Sequence, residues 1–204
     1  MTSLLTQCGE SNSGGLDALT GSTPQALSHG TLTVHFSNPG SLDSTSGQSD
    51  PDNLNTDPVF VSQTSQSPCR TSSTPAWSGR YSDLSAPLPT PLTYVGLGFV
   101  RVNYQLTGLT APLEARLWDV APDGVTRLIT RGAYRIDPPY DKAAGTLDLP
   151  LFGNQWVLQA GHKLRLDLTE SDSPAFLSSH TASTVGFSPP LLVLPLREAA
   201  SPSL

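Results

Sequence analysis

Hydrophobic and polar residues alternate along most of the second half of the chain, with the two-residue period of strands that bury one face. The segment HKLRLDLT (162–169) places three leucines on one face and Lys163, Arg165 and Asp167 on the other. TLTVHF (31–36) alternates in the same way. The pattern predicts further strands at 59–63, 92–106, 113–120, 126–136, 145–152, 154–159, 183–187 and 190–196.

The predicted strands are short and recur at roughly 10–15-residue spacing, with turn residues between them. Glycine (17) and proline (19) are both frequent, and both disfavour helix interiors. A helix is predicted only at 173–180, with one further helical turn within 14–27. Gly96 and Gly98 predict a bend or bulge in the segment 92–106. The fold class is therefore all-β, a sandwich or jelly roll.

The first part of the chain is more polar than the rest, which divides the sequence into segments. We predict a polar, linker-like N-terminal segment at 1–30 that packs on the sandwich. The jelly-roll sandwich follows at 31–197, and a disordered tail at 198–204. Residues 37–58 contain almost no apolar side chains and are predicted to form a long exposed loop.

Composition excludes several functions and indicates a compartment. The 11 basic residues are few and scattered, so a nucleic-acid surface is not expected. No apolar run approaches the ~20 residues of a membrane helix, and the N-terminus does not resemble a signal peptide. Polar, lysine-poor surroundings suggest an extracellular or cell-surface protein, in which Cys8 and Cys69 would form a disulfide. Two unpaired thiols are the alternative.

The sequence lacks the common signatures of catalysis. No G-x-S-x-G nucleophile motif is present; the nearest approach is GESNS at 9–13. The four histidines are far apart, and histidine and cysteine lack zinc-ligand spacing. DPDNLNTD (50–57) is rich in oxygen ligands but lacks the glycine and glutamate of a calcium-binding hand, which favours a solvated loop. We therefore expect no cofactor and no metal.

Trp118 and Trp156 are candidate platforms for a bound sugar. Trp118 is out of phase with Leu113, Ala115 and Leu117, so it lies on the opposite face of its strand. An exposed ring on that face would bind carbohydrate or contact another domain. Burial beneath a loop is the structural alternative.

The segment ARLWDVAPDG (115–124) predicts a strand followed by a tight turn at Pro-Asp-Gly. Asp119 and Asp123 are predicted to accept hydrogen bonds from turn amides rather than to bind a ligand. Arg131 and Arg135 are predicted to pair across strands with Asp119, Asp123 or Asp137. His162 is predicted to support a turn rather than to act as a base.

Taken in order, these motifs resemble the C-terminal domain of X-Pro dipeptidyl-peptidases and cocaine-esterase-like (CocE/NonD) serine hydrolases. The resemblance covers about residues 115–197, while residues 1–90 match more loosely, including Gly14-Gly15, Cys8 and Cys69-Arg70. It is carried by Asp119-Val120, Pro122-Asp123-Gly124, Arg131-Gly132, Gly161-His162, Arg165-Leu166, Asp172, Pro174 and Phe176.

The resemblance implies a galactose-binding-like jelly roll that accompanies an α/β-hydrolase catalytic domain. The catalytic triad of that family belongs to the other domain, so no catalytic residue is carried over and the chain alone is expected to be inactive. The implied role is to pack on the catalytic domain, to shape its active-site entrance and, in some assemblies, to support a homo-oligomer. The signature positions expected at turns or interfaces are Trp118, Asp119, Asp123, Arg131, Tyr134, Trp156 and His162.

Two other functions remain open at this point. One is a carbohydrate-binding module that uses Trp118 or Trp156. The other is a free-standing extracellular interaction domain held by a Cys8–Cys69 bridge.

Overall fold

The computed structural model describes residues 2–4, 18–45, 79–138, 140–173, 175–176 and 181–204. These residues form fourteen strands and one short 3-10 helix, η1 (Pro24–Leu27). The strands are β1 (Thr2–Leu4), β2 (Ala18–Thr20), β3 (Gly30–His35), β4 (Gly40–Asp43), β5 (Arg80–Leu84), β6 (Leu92–Gly96), β7 (Phe99–Gly108), β8 (Ala111–Val120), β9 (Thr126–Ile136), β10 (Ala144–Pro150), β11 (Asn154–Leu158), β12 (Lys163–Thr169), β13 (Ser183–Phe187) and β14 (Leu191–Leu196).

Two antiparallel sheets of unequal size form an open sandwich. The larger has eight strands in the order β11-β6-β14-β7-β13-β4, with β10 beside β7 and β3 beside β14. The smaller has four strands in the order β5-β12-β8-β9. Strands β1 and β2 pair separately. The all-β sandwich predicted from the alternating pattern is confirmed.

The core lies between the two sheets and is built from the predicted alternation. On β7, Val100, Val102 and Leu106 are buried among exposed polar residues. On β12, the three leucines of HKLRLDLT join the same hydrophobic cluster. The predicted strands at 126–136 and 183–187 coincide with β9 and β13, and the others described differ by a few residues at their ends.

The predicted bend in 92–106 divides that segment into β6 and β7. Gly96 has a positive φ of 111°, a conformation that only glycine adopts without strain. A Cβ atom on Gly98 would lie 2.7 Å from Leu194 Cδ2 and 3.0 Å from the Val193 carbonyl oxygen. Glycine at both positions lets the chain turn closely over β14.

Residues 40–43 do not belong to an exposed loop, as predicted for 37–58, but form strand β4. This strand pairs with β13, and Leu42 is buried in the core. The turn before β4 is fixed by Asp83 Oδ2, which accepts hydrogen bonds from the Ser37 and Asn38 amides at 3.1 and 3.2 Å. A single apolar residue thus anchors a strand whose other side chains are polar, and residues 46–58 lie outside the described part.

The predicted disordered tail at 198–204 is instead ordered along the free edge of β3. The amides of Thr31, Thr33 and His35 donate to the carbonyls of Ala200, Pro202 and Leu204 at 2.8–3.0 Å. Thr33 and Ser203 form a parallel bridge, and Leu204 packs against the core. The tail is ordered because it covers backbone groups that would otherwise form an open sheet edge.

Several other predictions fall on short or undescribed segments. The helical turn within 14–27 is η1, whose Leu27 is buried. Strands β1, β2 and β5 were not predicted. Of the predicted helix 173–180, the described residues show a single turn, in which the Phe176 amide donates to the Asp172 carbonyl. The predicted strand 59–63, Cys8 and Cys69 lie outside the described residues.

Candidate functional site

Asp119 joins three strands at one end of the smaller sheet. It lies near the end of β8 with its side chain on the core side and almost fully buried. Its Oδ2 accepts the indole N–H of Trp156 at 2.9 Å, and its Oδ1 contacts Nδ1 of His162 at 2.7 Å. Asp119 is therefore held by the side chains of the β11 and β12 segments, rather than by turn amides as predicted.

Asp123 forms the turn contact expected from the sequence. Its Oδ1 accepts the backbone amide of Val125 at 3.0 Å. Gly124 has a positive φ of 86°, and the Ala121 amide closes the turn on the Val125 carbonyl at 2.9 Å. The side chain stabilises the β8–β9 hairpin and is exposed.

Trp118 lies on the outer face of the smaller sheet but is buried, with 1 % of its surface exposed. The Arg165 guanidinium carbon stacks 4.8 Å from its ring centroid. Trp156 is also buried, within the hydrophobic core. Neither ring is open to solvent, so neither offers the flat platform that a stacked sugar requires.

A cluster of charged side chains occupies the same outer face and is also buried. Asp172 is fully buried and accepts hydrogen bonds from Arg116 and from Arg131, the latter at 2.8 Å. The prediction that Arg131 pairs with Asp119, Asp123 or Asp137 is wrong. Arg131 pairs instead with Asp172, which follows β12, the strand next to β8. The two arginines and one aspartate define what we name the Asp172 cluster.

Glu114 lies next to the Asp172 cluster and has a raised pKa. It is 2 % exposed, and its Oε2 has no hydrogen-bond partner within the described part of the chain. Burial raises the pKa of Glu114 to about 7, against the lowering effect of Arg116 and Arg131. Burial also raises the pKa of Glu170, whose Oε2 accepts the Ser183 hydroxyl at 2.6 Å.

A second buried ion pair lies further along the same face. Arg80 Nη1 donates to Asp167 Oδ2 at 2.8 Å, and both side chains are almost inaccessible. Arg165, which stacks on Trp118, brings its Nε within 3.3 Å of Asp167 Oδ1. The charges that alternation alone would place in water are thus paired with one another beneath the protein surface.

Tyr134 contacts the loop between β9 and β10. Its hydroxyl donates to Asp141 Oδ1 at 2.8 Å, and this hydrogen bond raises the pKa of Tyr134. The second carboxylate oxygen of Asp141 accepts the Asp137 amide at 2.9 Å. The contact fixes the loop and leaves the ring partly buried.

Two features of the described residues bear on catalysis: the surroundings of His162 and the grouping of side chains that could bind a metal. His162 has a carboxylate partner, Asp119, but within the described ranges no serine hydroxyl or cysteine thiol is hydrogen-bonded to its ring. The same ranges contain no group of three or more His, Cys, Asp or Glu side chains that would hold a metal ion. No helix among them is long and apolar enough to cross a membrane.

These features define a class: an all-β sandwich whose buried polar side chains bind one another and hold strands together. The chain belongs to the family of X-Pro dipeptidyl-peptidase C-terminal non-catalytic domains, whose family model matches residues 17–189. The match covers most of the chain and confirms the resemblance derived from the strand and turn motifs. No curated protein sequence shows significant similarity.

A solved structure shows a similar fold in part of a longer chain. A CocE/NonD family hydrolase from Staphylococcus aureus superimposes with a TM-score of 0.56 at 8 % identity, over 89 % of this chain and 39 % of that chain. An aminopeptidase from a marine sediment archaeon, Thaumarchaeota archaeon, gives a TM-score of 0.49 at 15 % identity, over 57 % of this chain and 25 % of that chain. The chain thus spans less than half the length of either protein.

Proposed function

We propose that this chain is the accessory C-terminal β-sandwich of a secreted serine hydrolase resembling the X-Pro dipeptidyl-peptidases. It packs on an α/β-hydrolase domain and shapes the entrance to that domain's active site. The observation that carries the proposal is the family match over residues 17–189, since that family is described as non-catalytic. The Staphylococcus aureus hydrolase with a similar fold is much longer than the matched region, which supports a companion domain.

The buried charges support a scaffold rather than a reactive site. Arg116 and Arg131 both donate to Asp172 inside the domain. Reactive sites instead bring a nucleophile, a base and a stabilising donor to one accessible point. The extracellular location and the Cys8–Cys69 disulfide belong to the same proposal, because a secreted enzyme would keep such a bridge oxidised.

The test compares the isolated chain with its complex. The purified 204-residue protein should not hydrolyse an X-Pro-nitroanilide substrate. Adding the α/β-hydrolase domain encoded with it, in the same or an adjoining gene, should change kcat/KM of that domain for the substrate. Turnover by the isolated chain, or no binding to the hydrolase domain, would contradict the proposal.

Mass spectrometry of secreted protein tests the extracellular location and the disulfide independently of the accessory role. Non-reducing digestion of protein secreted by the native host should yield one peptide pair that joins Cys8 to Cys69. Recovery of both cysteines as free thiols from the secreted protein would contradict the Cys8–Cys69 disulfide and leave the accessory role intact.

A further inference from the structure

An exposed apolar surface lies where the β6–β7 bend meets the β10–β11 loop. Leu97 and Phe152 are 61 % and 55 % exposed and lie together at this end of the sandwich. Leu97 Cδ2 lies 3.2 Å from the position that a Cβ on Gly153 would occupy. The Phe152 and partly buried Phe176 rings lie 6.3 Å apart at an angle of 50°. We name Leu97, Phe152 and Phe176 the apolar patch.

The backbone beneath the apolar patch is firmly held. The Phe152 amide donates to the Arg131 carbonyl at 2.8 Å, and its carbonyl accepts the Thr130 hydroxyl at 2.7 Å. The Phe176 amide donates to the Asp172 carbonyl at 3.0 Å. The backbone of the patch is therefore hydrogen-bonded directly to Arg131 and Asp172 of the Asp172 cluster. Apolar side chains on an ordered backbone lose little further freedom when a partner covers them.

The chemistry of the patch selects the kind of partner. Its three side chains are uncharged, and the charges beneath it are buried and paired within the domain. Binding of a nucleic acid, or of any other negatively charged surface, would require exposed basic side chains in the patch. A protein surface that is itself apolar fits, because contiguous exposed apolar side chains mark protein contacts.

We propose that the apolar patch is the contact surface for the α/β-hydrolase domain, an inference that rests on the proposed function. The similar Staphylococcus aureus hydrolase contains much chain beyond the matched region, which is 39 % of its length. The family match therefore favours a companion domain as the partner that covers this apolar surface. Covering Leu97 and Phe152 then removes two largely exposed apolar side chains from water.

The test uses two matched double variants of the full 204-residue chain. Leu97→Gln with Phe152→Gln changes the patch. Leu109→Gln with Tyr140→Gln changes another leucine and another aromatic ring, which are 75 % and 90 % exposed. Leu109 follows the far end of β7 from Leu97, a separation of roughly 30 Å along a ten-residue strand. The probe is the α/β-hydrolase domain encoded with the chain, and the measurement is the Kd by titration calorimetry.

The patch variant should raise the Kd at least tenfold, and the control variant less than twofold. Both should keep the unfolding temperature of the wild-type protein, since all four side chains are exposed. Hydrogen exchange should show protection of the 96–98 and 151–153 amides in the complex.

The outcomes separate this inference from the proposed function. If the wild-type chain binds the hydrolase domain and both variants bind equally well, the patch assignment is wrong and the accessory role stands. If the wild-type chain does not bind at all, both fail. If the patch variant loses only self-association, measured by sedimentation, the occupant is a second copy of the chain and the inference is overturned.

Discussion

Glu114 makes the stability of the fold depend on pH near neutrality. Its pKa in the folded protein is about 7, above the ordinary value of 4.5 that it regains on unfolding. The folded state therefore binds more protons than the unfolded state between these values. The free energy of unfolding falls as the pH rises through this window, and the loss is complete somewhat above pH 7.

Glu114→Gln should remove this loss. At pH 8 the variant should exceed wild type by on the order of 1–3 kcal/mol in the free energy of unfolding, measured with urea, and at pH 5 the two should converge. An equal difference at both values would contradict the titration of Glu114.

Asp83→Asn provides a comparison of opposite sign. Burial raises the pKa of Asp83, but hydrogen bonds from the amides of Leu84, Asn38 and Ser37 outweigh it and lower the pKa. This carboxylate stabilises the fold above its ordinary pKa, and its contribution is lost as the pH falls through the lowered value. Asp83→Asn should therefore be destabilising at neutral pH, where Glu114→Gln stabilises.

Asp172 is the residue on which the buried charges depend most. Asp172→Asn would leave Arg116 and Arg131 with a neutral partner, and we expect a loss of about 3–5 kcal/mol, the usual cost of breaking a buried pair. The matched control is Asp148→Asn. It removes the partner of Arg101 in a surface pair whose side chains are 46 % and 45 % exposed, and should change stability much less. Similar urea midpoints for the two variants would show that the cluster does not stabilise the fold.

At the scale of elements, β9 crosses the β10–β11 loop at a point where only glycine fits. A Cβ on Gly132 would lie 1.9 Å from the Pro150 carbonyl oxygen and 3.1 Å from Leu151 Cα. These are backbone atoms, so they cannot move aside as a flexible side chain does. Gly132 belongs to the Arg-Gly pair that carried the family resemblance, and its place in the sequence has this packing reason.

Gly132→Ala should destabilise the protein by about 1–3 kcal/mol or prevent its expression, because overpacking shifts the backbone. Gly186→Ala is the control, since its Cβ would meet nothing within 4 Å and it also lies inside a strand. Thermal melting measures both. An unchanged melting temperature for Gly132→Ala would mean that β9 and the loop separate more easily than their packing suggests.

Strands with one solvent-exposed face could be predicted from the sequence. The burial of the charged side chains on the outer face of the smaller sheet could not. The alternating pattern places Asp167 on the polar face of its strand, and Glu114 and Arg116 alternate with leucine and alanine in the same way. Their burial depends on Asp172, which lies 56 residues from Arg116 in the sequence. Strand β4 was missed for a related reason: its one buried side chain, Leu42, gives too little alternation to detect. Both the buried charges and strand β4 depend on pairing between segments that are distant in the sequence, which alternation within one segment does not reveal.

At the scale of the whole molecule, the C-terminal residues complete the larger sheet. Thr31, Thr33 and His35 donate to residues 200–204, and a Cβ on Gly30 would lie 2.1 Å from the Ala200 carbonyl oxygen. The tail covers the edge of β3, which would otherwise be free to pair with another chain.

Removing residues 200–204 should lower the melting temperature and abolish the slow hydrogen exchange of the Thr31, Thr33 and His35 amides. The sheet edge exposed in this way should also promote aggregation, measured by light scattering. The control is Ser201→Ala with Ser203→Ala, which keeps the backbone hydrogen bonds and should leave exchange unchanged. Fast exchange of these three amides in the wild-type protein would show that the tail does not pair with β3 in solution.

The two described tryptophans give the molecule separate spectroscopic reporters for the two sides of its smaller sheet. The Trp156 indole proton is bound to a buried carboxylate on the core side, so its NMR signal should lie downfield and exchange slowly. The Trp118 indole nitrogen has no hydrogen-bond partner within the described ranges and its ring lies under Arg165. One sample therefore allows loosening of the core and release of the charged face to be followed independently, without an added label.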